Sequence, residues 1–179
     1  EKRRLALDLK SEAGRRILFR LLERADVLVE SFRAGSAERL GVGWAEVHEH
    51  NPRLIYCSVT AFGPRGPLHE RPGYDPLAPA FRGLISVTGH PGHPPARVGT
   101  SVIDYGTGVW GAVGVLGALL ERGRTGRGTH VGTSLYDTAL AVMGYHLLGH
   151  LATGQVPGPQ GSGLPMIAPY QALPTSDGQ

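Results

Sequence analysis

A chain of 179 residues that is 41% hydrophobic and 18% charged can bury a sizeable core, which excludes a mainly disordered segment. Its net charge of +3 comes from scattered arginines rather than one basic run, which argues against nucleic acid as a partner. The longest apolar run, Val109 to Leu120, falls short of the roughly 20 residues a membrane span needs and is interrupted by glycine. Cys57 is the only cysteine, so no disulfide can form within the chain and a reducing, cytoplasmic setting fits. No positively charged stretch leads into an apolar segment near Glu1, so no secretory signal is visible.

In chain order, Leu5 to Leu9 alternates apolar and polar positions and reads as a strand. Ser11 then caps a helix whose apolar face is Ile17, Leu18, Leu21 and Leu22. Val27 to Glu30 is a second strand, residues 31–36 a turn, and Ala37 to Leu40 a short helical piece ended by Gly41. Another short helix runs from Trp44 to Pro52. Arg53 to Gly63 is near-continuously apolar, as a strand buried on both faces of a parallel sheet must be, with Cys57 as a small buried side chain.

Prolines and glycines fill Gly63 to Gly73, marking a loop at the carboxyl end of that strand, where open parallel sheets bind ligands. Residues 74–89 read as a broken helix and 90–99 as a second loop. A helix follows Asp104 to about Glu121. After a turn, Thr129 to Leu135 is a strand and Tyr136 to Gly154 one helix with an apolar stripe. A glycine- and proline-rich loop begins near Pro157. The alternation of strand and helix predicts an α/β fold with a Rossmann-like parallel sheet and flanking helices.

His90 and His93 lie three apart without a cysteine or carboxylate at zinc-ligand spacing, so no metal is expected. Gly106 to Gly111 spells a literal GxGxxG. It sits mid-chain, however, and the acid that follows, Glu121, ends a helix rather than a strand, so NAD is not expected either.

Asp104 has two compatible readings. As a helix N-cap it would accept hydrogen bonds from the first free amides. As a nucleophile it would form an anhydride or thioester, with Gly106 and Gly108 giving a substrate room and their amides stabilising an oxyanion.

The ordered set of segments 7–35, 38–67, 73–89, the Asp104 stretch and 121–140 resembles the class III CoA-transferases, the family of formyl-CoA and carnitine-CoA transferases and α-methylacyl-CoA racemases. That resemblance implies a CoA-transferase in which Asp104 attacks an acyl-CoA thioester and then carries CoA as an aspartyl thioester. Acyl-CoA and a small carboxylic acid would be its substrates. It also implies CoA contacts at Leu7, Asp8, Leu9 and Lys10, at Ser31, Phe32 and Arg33, at Arg39, and at Arg71, Pro72, Gly73 and Tyr74. Residues 1–155 would form part of the large domain, and 156–179 a loop and the start of a linker to a small domain. Family members are longer at both ends and form intertwined homodimers. Ala168 to Gly178 resembles members that act on small dicarboxylic acids, such as succinate.

Some positions depart from the family pattern. Ser31 stands where Asn is frequent, Ala34 where Pro is frequent, and Pro72 where some transferases carry a base. Racemases of the family resemble GHD where this chain reads Gly73-Tyr74-Asp75, and a tyrosine, with an ordinary pKa near 10, is a poor general base. His69 is the nearest substitute for such a base. The alternatives to a transferase are therefore a racemase-like isomerase and a non-catalytic CoA-binding subunit.

Overall fold

The computed structural model describes residues 2–71, 83–164 and 166–177. Its centre is a parallel sheet in the order β1 (Val27–Glu30), β2 (Ile55–Thr60), β3 (His130–Ser134). Helix α1 (Glu12–Leu22) leads into β1, and α2 (Ser36–Arg39) and α3 (Trp44–His50) join β1 to β2. Helix α4 (Val102–Thr125) precedes β3, and α5 (Leu135–Val142) and α6 (Gly144–Thr153) follow it. The fold is the expected mixed α/β class with a Rossmann-like parallel sheet.

Strand β2 is apolar because it is covered twice. On one face, buried Leu22, Val47, Leu54 and Tyr56 pack with Leu18, Phe19 and Trp44 from α1 and α3. On the other lies α4, held close by glycine. A Cβ at Gly114 would stand 2.6 Å from Val131 Cγ1, and one at Gly111 would stand 3.4 Å from Thr133 Cγ2 and 3.7 Å from Cys57 Sγ. Cys57 is buried in this layer, where desolvation, aided by Glu30, pushes its thiol above the ordinary value.

Arg122, near the far end of α4, fixes the helix lengthwise. It donates to Asp26 Oδ1 at 2.8 Å and to the Arg53 carbonyl at 3.2 Å, both just before a strand begins. The start of α4 is thereby directed to the opposite, carboxyl edge of the sheet.

Several expectations change. Leu5 to Leu9 forms no strand among the described residues, because a strand requires a neighbour's ladder and none is supplied there. In α1, Ser11 does cap the helix, accepting from the Gly14 amide at 3.0 Å, but Ile17 and Leu21 are exposed and Phe19 takes their place in the packing. Helix α4 starts before Asp104 and runs to Thr125, where Gly126 closes it at φ 74°. At 24 residues it is long and apolar enough to cross a membrane by composition, although one face is packed on the sheet. The stretch from Tyr136 to Gly154 is two helices, broken at Met143. Of the expected broken helix at 74–89, residues 83–87 are helical and 74–82 lie outside the described residues.

Two outcomes follow. Removing the guanidinium clamp in Arg122→Ala should lower stability by about 1–2 kcal/mol, read from denaturant midpoints. The second concerns His130, whose ring stacks on Trp44 at 5.7 Å and whose Nε2 lies 2.8 Å from Ser58 Oγ. Burial outweighs the opposing pull of Glu30 and Glu38 and lowers its pKa below 6.5. The unfolded chain therefore takes the proton first, so this contribution is complete above the unfolded value and is lost as pH falls through it. Urea midpoints should drop between pH 7.5 and 5.5, and the drop should shrink in His130→Gln.

Candidate active site

The carboxyl ends of the three strands open into one cleft of about 410 Å³. The turn after β1 contributes Ser31, Phe32, Arg33 and Ala34, and the end of β2 contributes Val59, Thr60 and Ala61. His69 and Arg71 enter from the following loop, Asp104, Thr107 and Gly108 from α4, and Leu135 from the start of α5. Five predicted site residues, Asp104, Ser31, Phe32, Arg33 and Arg71, are thus brought together from segments up to 73 positions apart in the chain.

Asp104 is not the cap of α4. Ser101 holds that position, without a side-chain capping bond, and Asp104 stands in the first turn, where the helix's positive end favours a carboxylate. It is exposed, and no described residue donates a hydrogen bond to it. Gly108, four residues on, shares its face of the helix, and a Cβ there would meet nothing within 4 Å. The space beside the carboxylate is open for that reason.

Gly106 serves another purpose. A Cβ at this position would stand 2.9 Å from Thr138 Cγ2, so its bareness lets α5 approach α4. Beneath the cleft, Thr107 Oγ1 lies 2.9 Å from Thr138 Oγ1, which donates to the Ser134 carbonyl at 2.9 Å. Both glycines lie past the first turn, so their amides bond within the helix and are not free oxyanion donors as expected. The first-turn amides of Ile103 and Asp104 have no carbonyl one turn behind them and are better placed for that task. The whole GxGxxG stretch is likewise helical, with no phosphate-binding turn.

The strip after β1 is held by its own acid: Glu30 Oε2 accepts from the Phe32 amide at 2.8 Å. Arg39 stays out of the cleft and donates to Ser36 Oγ at 2.7 Å. Leu7 to Lys10 also lie outside it, in a turn at the start of α1 where Asp8 Oδ1 accepts from the Lys10 amide at 3.0 Å. Arg15 Nη1 binds the Leu9 and Lys10 carbonyls at 3.3 and 3.1 Å. The other end of α1 is pinned where β2 begins, by Asn51 Nδ2 donating to the Leu22 carbonyl at 2.9 Å, so this turn points toward the carboxyl edge. Pro72, Gly73 and Tyr74 lie outside the described residues.

Among residues not predicted for the site, Thr60 and Leu135 carry no motif and are signalled only by their position at the ends of β2 and β3, and Thr107 enters from the first turns of α4. His69 arrives through a turn: its Nδ1 lies 2.8 Å from the Gly66 carbonyl. Residues 168–171 line a separate cavity with Pro91 and the 158–164 loop, away from Asp104. No group of three potential metal-ligating side chains occurs among the described residues.

The sequence matches CoA-transferase family III over residues 1–179. The chain belongs to that family. It is 41% identical over 177 residues to the acetyl-CoA:oxalate CoA-transferase of Acetobacter aceti, covering 98% of this chain and 46% of that protein. A succinyl-CoA:mesaconate CoA-transferase of Haloarcula hispanica is 40% identical over 181 residues, covering 99% and 46% respectively. The crystal structure of a CaiB/BaiF family protein from Brucella suis superposes with a TM-score of 0.83 at 38% identity, over 96% of this chain and 46% of that one. The chain therefore spans just under half the length of these relatives.

In this family III chain the two glycines should separate on mutation. Gly106→Val should cost about 1–3 kcal/mol of stability through overpacking against Thr138. Gly108→Val should leave the melting temperature nearly unchanged yet lower the yield of any covalent adduct on Asp104 by about tenfold or more. Thermal melts and adduct mass spectrometry read the two effects separately.

Proposed function

We propose that this chain supplies the acyl-CoA site of a CoA-transferase that moves CoA from an acyl-CoA donor to a small carboxylic acid, with Asp104 as the nucleophile. The observation that carries the reading is a carboxylate with no partner among the described residues, in a cleft at the strand ends, with open space beside it, in a chain whose relatives are named for CoA transfer.

The chemistry balances without water. An Asp104 oxygen attacks the thioester carbon, the C–S bond breaks, and CoA thiolate leaves behind an acyl-aspartyl anhydride. The thiolate returns to the aspartyl carbonyl and expels the donor acid, giving an aspartyl-CoA thioester. An acceptor carboxylate then displaces the thiolate to form a second anhydride. Attack of thiolate on the acceptor's carbonyl releases the new acyl-CoA and restores Asp104. Each tetrahedral stage carries an oxyanion, which in this reading the first-turn amides of α4 stabilise.

In this reading Ser31, Phe32 and Arg33 line the path of the pantetheine arm, and Arg71 approaches the thioester with Pro72, Gly73 and Tyr74. Leu7, Asp8, Leu9, Lys10 and Arg39 serve the nucleotide end, which suits their place outside the cleft. The active form is a cytoplasmic homodimer. Supporting an assembly, the outer face of α4 exposes Val109, Trp110, Val113, Leu116 and Leu120, an apolar strip too continuous for ordinary solvent contact.

The test is to incubate the full-length gene product with acyl-CoAs and quench with hydroxylamine. A hydroxamate on the peptide containing Asp104 is expected, and Asp104→Ala should abolish both the adduct and transfer while leaving the melt unchanged. Transfer that survives in Asp104→Ala would overturn the assignment.

A further inference from the structure

The cleft is unbalanced in charge. Among the described residues Asp104 is its one lining carboxylate, whereas Arg33, His69 and Arg71 all border it; Arg33 and His69 also border an adjoining cavity with Glu30 and Glu38. Arg33 lies on the β1 side, beside the strip assigned to CoA. His69 and Arg71 come together from the opposite loop, where the Arg71 amide donates to the Leu68 carbonyl at 2.9 Å and the His69 amide to the Gly66 carbonyl at 3.3 Å. Two successive turns thus present both bases on one short segment.

Neither base has an obvious structural debt. Among the described residues the Arg71 guanidinium has no hydrogen-bond or ion-pair partner. His69 Nδ1 is taken up by the Gly66 carbonyl, which leaves Nε2 as the nitrogen available to an incoming group. Among the described residues that nitrogen has one carboxylate within ion-pair reach, that of Glu70, 3.6 Å away, with a side chain 84% exposed. Such a surface contact is weak and is readily exchanged for a better anion.

Before the C–S bond breaks, the CoA part of an intact thioester offers no such anion there. Its phosphates lie at the far end of a long, uncharged pantetheine arm, so they cannot approach these bases while the thioester carbon is on Asp104. The charge that remains is in the acyl group. We infer that His69 and Arg71 bind the far carboxylate of a dicarboxylic acyl group whose near end is being transferred at Asp104, which makes them specificity-determining residues for dicarboxylic substrates. The inference rests on the transferase reading above and deepens it. Arg71 suits the task through its planar pair of donors, and His69 adds a second direction of approach. The segment at 168–171 that suggested a dicarboxylic acid in the sequence lines another cavity, so the selection is assigned to this loop instead.

Succinyl-CoA and butyryl-CoA separate the possibilities, because they match in length and differ in a terminal carboxylate against a methyl group. Single-turnover formation of the Asp104 adduct should be measured with each donor on the full-length gene product, in wild type, His69→Gln and Arg71→Lys. Wild type should favour succinyl-CoA, and each variant should lower the succinyl-to-butyryl ratio by about tenfold, the scale expected when a charged contact is lost. A ratio unchanged in both variants would overturn the inference, since an oxyanion or CoA contact would slow both donors alike. Wild type that prefers butyryl-CoA would overturn it as well. Adducts with neither donor would instead sink the transferase reading, and this inference with it. As a check independent of folding in the variants, free succinate should compete with the wild-type reaction at lower concentration than butyrate, and equal potency would count against the inference.

Discussion

Everything at the candidate site depends on how closely α4 lies on the β2–β3 pair. Gly114 brings the helix to a separation from Val131 that a side chain there would forbid, and at Gly111 a Cβ would already be in van der Waals contact with Thr133 and Cys57. Because the contact is backbone against side chain, the helix cannot rise off the sheet without opening a void that water would not fill favourably. Arg122 sets the helix lengthwise by reaching the start of β1 and β2. Depth and length together determine where Asp104 stands, although Asp104 makes none of these contacts.

One helix therefore divides its glycines by face. Toward the sheet and α5, Gly106, Gly111 and Gly114 are bare so that protein can approach; toward the cleft, Gly108 is bare and nothing approaches. The low intrinsic helix propensity of glycine, about 1 kcal/mol per residue against alanine, is offset by tertiary packing at the first three positions. At Gly108 no packing offsets it. Gly117 and Gly123 likewise meet nothing within 4 Å, but of the three only Gly108 lines the cleft with Asp104, where its bareness leaves room.

Much of this was legible in the sequence because the signals were local. Ser11 before an apolar stripe, glycine after Leu40, and the unbroken apolar run at β2 each act within a few residues and were realised. Failures arose where a distant partner decides. Leu5 to Leu9 has strand alternation but no ladder partner, and alternation alone cannot satisfy backbone amides. Asp104 looked like a cap because it stands just before the run from Gly106 to Glu121, yet the helix begins earlier, with Ile103 buried against Ala139 and α5. At the site, the chemistry-bearing residues Asp104, Arg33 and Arg71 were identifiable. Thr60, Thr107 and Leu135 were not, since hydroxyls and leucines acquire meaning only from the strand end or helix start that carries them.

The distribution of charge follows from the same topology. Parallel strands deliver their carboxyl ends to one edge, so the segments meeting there are loops, and loops tolerate side chains that need no partner of their own. Arg122, by contrast, is built into the amino edge and is held by carbonyls and Asp26. An arginine fixed by protein acceptors at one edge sets geometry, whereas Arg71, at the other, has no side-chain partner among the described residues. His69 belongs with Arg71, since its turn engages one nitrogen and leaves the other available.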